Sequence, residues 1–222
     1  MTFSLSASGP SPSGSTAIGA DGPASKRDAA ERRDEKAALR RAALARRAAM
    51  GEEARSHASQ RAALNAMSLL EAVSGRIFSL FAPFRDEIDT APLAALLWDA
   101  GAIVALPVIV SRDEPLLFRR WEAGDTLDLV GAYRIPTPSS DAPELVPQDL
   151  IVPLAAFDAR GYRIGYGAGH YDRTLAGLRA RGPVRAFGYA FSCQEVPRVP
   201  EEPHDERVDG MITEAGLFLC GG

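Results

Sequence analysis

Three glycines at alternate positions, Gly165, Gly167 and Gly169, sit in the run RIGYGAGHYDR. Such a run can take backbone angles closed to other residues and turn its N–H groups outward. Tyr171, Leu175 and Leu178 follow at helical spacing until Gly182-Pro183 ends the pattern, so a helix start lies directly behind the loop. Free N–H groups and a helix dipole both favour negative charge, and the chemistry indicated is phosphate binding. The spacing fits neither the dinucleotide fingerprint nor the P-loop, because no Lys-Ser or Lys-Thr pair closes it. A hairpin turning at Ala159 to Gly161, with glycines that only permit close packing, is equally open. Far upstream, Lys36 and Arg40 stand four apart in an Ala- and Arg-rich segment. They project from one helix face and could reach two phosphates together.

Regular elements must carry these groups. Leu150 to Val152 reads as a buried strand before the glycine loop. Lys26 to about Met50 is rich in strong helix formers with Ser25 placed to cap it, and a second helix is expected from Glu52 to about Val73. Most of the arginines there read as a solvated face. Ile77 to Phe81 reads as a strand that opens into a loop over Ala82 to Asp89; Thr90 is placed to cap a helix over Ala91 to Ala100, with Pro92 in its first turn. Further strands are expected at 101–110, 184–191 and 207–213, and an antiparallel edge at 115–121. Strands alternating with helices predict an α/β fold, a mainly parallel sheet covered by helices on both faces, in a single three-layer domain over 26–222. Residues 1–25, rich in Ser, Gly and Pro, are expected to be a disordered tail.

The 222 residues with 46% hydrophobic content suffice for one sizeable core. A net charge of -4 speaks against a nucleic-acid or membrane-surface binder. Cys193 and Cys220 lie far apart without a ligand-type spacing, so neither a disulfide framework nor a zinc site is indicated and a cytoplasmic location is expected. No apolar run reaches the roughly 20 residues of a membrane span. A monomer is the default, although the sequence itself does not give oligomeric state.

The run from Phe157 to Arg173 resembles the signature of the 5-formyltetrahydrofolate cyclo-ligase family, also called methenyltetrahydrofolate synthetases. The resemblance extends to Lys36–Arg40, Asp86–Ile88 and Gly131–Pro136, and covers roughly residues 30 to 215 in the family's order. It implies that ATP is bound by Lys36, Arg40, Arg163 and the run Gly165, Tyr166, Gly167, Ala168, Gly169, His170 and Tyr171. It implies a folate site at Ala82, Glu87, Tyr133 and Tyr166, with Tyr133 near the flat pterin ring. It implies Mg²⁺ at Asp172 and at Asp205 in the loop before Val208-Asp209, a sparse carboxylate set of the kind magnesium accepts. Some members carry basic side chains where this chain has Tyr166 and Ala168, and most carry an aromatic residue in place of His170, whose role stays open.

The reaction so implied closes a ring on 5-formyltetrahydrofolate. The formyl oxygen takes the γ-phosphate of ATP, N10 attacks the activated carbon, and phosphate leaves to give 5,10-methenyltetrahydrofolate and ADP. Such a reaction needs positioning and charge cancellation rather than a covalent nucleophile. A non-catalytic nucleotide or folate binder of the same family is the alternative.

Overall fold

The structure, a computed structural model, describes residues 23–68 and 73–221. Residues 1–22 of the tail lie outside this range, and Pro23 to Ser25 already belong to the first helix. That helix, α1 (Pro23–Ala48), is followed by α2 (Glu52–Met67). Then come β1 (Ile77–Ser79), α3 (Ala91–Asp99), β2 (Ile103–Val108) and β3 (Leu117–Arg120). A two-stranded ribbon, β4 (Asp128–Val130) with β5 (Ile135–Thr137), precedes the central strand β6 (Asp149–Val152). A small hairpin of β7 (Ala156–Phe157) and β8 (Arg163–Ile164) leads to α4 (His170–Arg179), after which β9 (Arg185–Tyr189), β10 (Gly210–Thr213) and β11 (Gly216–Leu219) end the chain.

The main sheet has the order β11-β10-β9-β6-β1-β2-β3. Its five inner strands pair in parallel, and the two edges, β3 on β2 and β11 on β10, are antiparallel. One face of the sheet, with Phe78, Val104, Leu106, Ile151 and Phe187, packs on Ala62, Ala63 and Ala66 of α2 and Leu93 and Leu97 of α3. The other face, with Leu150, Val152, Ala186 and Met211, packs on Leu175 of α4. Small alanines on α2 let that helix approach closely, while full burial of each Leu or Phe contributes about 1.5–3 kcal/mol. The expected sheet with helices on both faces is what the chain forms.

From β1 the chain moves outward to β2 on one side, and it returns to β6 on the other. This makes the β1/β6 boundary the place where an open α/β sheet leaves a crevice beyond its strand ends. At the opposite end of β6 the fully buried Asp149 accepts hydrogen bonds from Arg76 at 2.8 Å and Arg185 at 2.5 Å, an anchor remote from that crevice.

Several local expectations change. Pro23 starts α1, so Ser25 lies within its first turn and does not cap it. Thr90 occupies the N-cap of α3, yet its hydroxyl donates to the Phe81 carbonyl at 2.9 Å, and the Asp89 carboxylate takes the Ala91 N–H instead. The second helix ends at Met67 rather than near Val73, and the rest of that expectation partly falls outside the described residues. The terminal strand is a hairpin of β10 and β11.

Candidate active site

An α-helix turns about 100° per residue, so Lys36, Arg40, Ala43 and Arg47 of α1 fall within a stripe about 60° wide. Ala43 is fully buried and seats the stripe on the body of the protein. The helix lies against β7 and the short turn Ser192–Gln194, segments that follow the carboxyl ends of β6 and β9. Arg46 fixes it there, donating to the carbonyls of Cys193 at 2.6 Å and Glu195 at 3.0 Å. The stripe therefore runs across the crevice end of the sheet.

Its first two cations meet the glycine loop and the loop after β9. Arg40 Nη1 donates to the Gly165 carbonyl at 3.3 Å. The hairpin expected around Ala159 to Gly161 forms, with β7 and β8 turning over Asp158–Gly161 and holding out the glycine loop. Gly167 (φ 96°) and Gly169 (φ 68°) use left-handed backbone, while Gly165 does not. Gly169 is the N-cap of α4 and has no capping side chain. Among the described residues, no N–H from Tyr166 to Gly169 finds a backbone acceptor, which leaves donors for an anion. Arg173 steadies the loop from behind, donating to the carbonyls of Ala168 at 2.8 Å and Arg112 at 2.7 Å. His170 Nδ1 faces the Glu114 carbonyl at 3.3 Å.

Lys36 Nζ donates to Asp205 Oδ2 at 2.7 Å and to Glu202 Oε2 at 2.8 Å. Burial opposes the ammonium charge, but the hydrogen bonds that Lys36 donates to Asp205 and Glu202 outweigh it and raise the lysine above its ordinary value. The bond from Lys36 holds Glu202 below the ordinary carboxylate range. Glu202, His204 and Asp205 bring their ligand atoms within 4.8 Å of one another. Asp172 is not in this group. Its Oδ1 accepts from Arg163 Nη2 at 2.9 Å and from the Glu206 N–H at 3.1 Å, and Arg163 also donates to the Glu206 carbonyl. Asp172 and Asp205 thus meet one loop at neighbouring residues, and Glu202 is the carboxylate beside Asp205. The Tyr171 hydroxyl is buried without a partner, and burial raises its pKa.

The third cation of the stripe meets the loop after β1. Arg47 Nη2 donates to Asp86 Oδ1 at 2.8 Å and Nη1 donates to the Tyr166 hydroxyl at 3.0 Å. That hydroxyl donates to Glu87 Oε1 at 2.6 Å, while Glu87 Oε2 takes the Phe84 N–H at 2.8 Å. Burial pushes the Glu87 carboxyl up, against the lowering effect of these donors and of Arg47. Burial also works against Asp86, but Arg47 outweighs it and lowers the Asp86 pKa. Arg47, Phe81, Glu87, Pro153, Tyr189 and Gln194 are among the residues that meet around a closed seam beyond β1, β6 and β9, too tight to admit a water molecule. Ala82 is half-buried in the same loop. Tyr133, at the tip of the β4–β5 ribbon, packs edge-on to Phe84 with ring centroids 5.5 Å apart.

The geometry gathers the expected residues into two adjoining groups, joined where Tyr166 meets Glu87. Arg47, Arg173 and Glu202 were not anticipated. Arg47 carried a readable signal, eleven residues beyond Lys36 on the same stripe.

The profile of the 5-formyltetrahydrofolate cyclo-ligase family matches residues 32–214. A 5-formyltetrahydrofolate cyclo-ligase of Escherichia coli (strain K12) is 34% identical over 175 residues, 77% of this chain and 95% of that protein. One from Haemophilus influenzae is 33% identical over 153 residues, 67% of this chain and 81% of that one. The NMR structure of a 5,10-methenyltetrahydrofolate synthetase from Aquifex aeolicus superposes with a TM-score of 0.69 at 30% identity, over 84% of this chain and 93% of its own. A match that takes in α1, the glycine loop and β10 alike leaves one conclusion: the chain is an enzyme of the 5-formyltetrahydrofolate cyclo-ligase family.

Proposed function

We propose that this chain converts 5-formyltetrahydrofolate to 5,10-methenyltetrahydrofolate at the expense of ATP. What supports the reading, beyond family membership, is that a single loop touches both groups: Gly165 bonds Arg40, and Tyr166 bonds Glu87. Lys36, Arg40 and the N–H groups of residues 166–169 face the nucleotide phosphates. Glu87 accepts N–H donors of the pterin, and Tyr133 covers its ring. So placed, the formyl oxygen attacks the γ-phosphorus as ADP leaves; N10 then attacks the formyl carbon, loses its proton, and the oxygen departs with phosphate. The protein's part is alignment and neutralisation of charge.

Asp205, with Asp172 bonded to the N–H of the next residue in the same loop, offers carboxylate oxygens of the kind that suit Mg²⁺, while Glu202 beside them pairs with Lys36. The Lys36 ammonium sits against Asp205 and Glu202, and an ion held by Asp205 would take its place there. Bound there, the ion would offset phosphate charge.

Mixing the protein with 5-formyltetrahydrofolate and Mg-ATP, then omitting each component in turn, tests the proposal. Methenyltetrahydrofolate absorbance should grow only in the complete mixture. Growth without ATP, or none in the complete mixture, refutes it.

A further inference from the structure

We infer that Arg47 is a positioning residue that keeps the Glu87 carboxylate ionised and fixed beside Tyr166, tying folate recognition to the helix that carries the phosphate-facing cations. This rests on the function proposed above. The Arg47 side chain is only 4% exposed, in a helix whose arginines are otherwise expected to face solvent. Its two terminal nitrogens are spent on Asp86 and Tyr166, and Nη1 stands 4.0 Å from Glu87 Oε1. Its Nε is buried with no partner. A buried guanidinium with an unmatched donor is unfavourable for folding alone. Its planar fork is what lets one side chain hold a carboxylate of the loop after β1 and the hydroxyl of the glycine loop together.

The charged and titratable groups facing Glu87 come from four elements. They are Arg47 of α1, Tyr166 of the glycine loop, Asp86 of its own loop and Tyr171 of α4, while Arg55 of α2 acts on Asp86. Among them Arg47 is the cation paired with Glu87. Removing it takes away an influence that favours the carboxylate, so Glu87 would ionise at higher pH.

The test is calorimetry of 5-formyltetrahydrofolate and, separately, of Mg-ATP, from about pH 5 to pH 8, on the wild type, Arg47→Met and Arg47→Lys. Arg47→Met should bind the folate about tenfold more weakly at neutral pH, with the acid limb moved to higher pH and Mg-ATP affinity changed less than about threefold. Arg47→Lys should keep the wild-type acid limb but recover only part of the folate affinity. Unchanged folate affinity in Arg47→Met, or equal loss of both ligands with an unmoved limb, overturns the inference. Should the Met variant not fold, an Arg47→Lys variant equal to wild type overturns it. A wild type that binds no folate sinks the functional reading itself, an outcome distinct from these.

Discussion

Lys36 and Glu87 belong to the same site but face opposite electrical conditions. Lys36 sits between Asp205 and Glu202, all three with some access to water, so its charge is secured by partners that, on the function proposed above, an incoming phosphate would replace. Glu87 is 94% buried by side chain; its charge is opposed by burial and kept up by Tyr166, the Phe84 N–H and Arg47. On the function proposed above, the nucleotide end is thus built for exchange of ions, and the folate end for a fixed carboxylate in a dry wall. Removing a residue should reveal which kind of end it came from.

The largest effect is expected at the nucleotide end. Asp172→Ala should cut turnover by on the order of 10² or more, because charge-offsetting groups for the transferred phosphoryl are lost. It also leaves the buried Arg163 without its carboxylate, so the melting temperature should fall; a rate like wild type would remove Asp172 from the site.

At the folate end, Glu87→Gln should weaken 5-formyltetrahydrofolate binding about 10- to 100-fold, the range for a hydrogen bond that loses its charge. The same variant should be more stable than wild type at neutral pH. Glu87 has a folded pKa above its ordinary 4.5, so its contribution to stability is full below that value and lost as pH rises through the folded one. Glutamine carries no such loss, and the gain in melting temperature should vanish in acid. A melting temperature lowered at neutral pH would contradict this sign.

The smallest effect concerns competition for Lys36. Glu202→Gln takes one of its two carboxylates away, and part-exposed pairs are worth about 0–1 kcal/mol, so Mg-ATP affinity should change by no more than about fivefold. A collapse of affinity would instead make Glu202 a ligand in its own right.

Sequence reading reached the sheet and the glycine loop because apolar runs such as Leu150–Val152 and the Gly165–Gly169 spacing are local signals. It missed β4 and β5, whose Leu129 and Val130 are exposed and show no inward alternation. It missed β11 because a two-residue turn splits a short run. Arg47 escaped notice for a different reason: in a helix crowded with arginines, charge is background, and only the i, i+4, i+11 stripe distinguishes it. Glu202 and Asp205 lie in a loop of acids whose pairing with Lys36 spans 166 and 169 residues, a distance no local pattern reports.

On the function proposed above, α1 and the glycine loop hold two different ligands at two ends of one site. Measuring both KM values for Lys36→Ala and Glu87→Gln side by side separates these two ends. The KM for ATP should rise in Lys36→Ala alone, and that for 5-formyltetrahydrofolate in Glu87→Gln alone. Both variants raising the same KM, or each raising the other's, would contradict it.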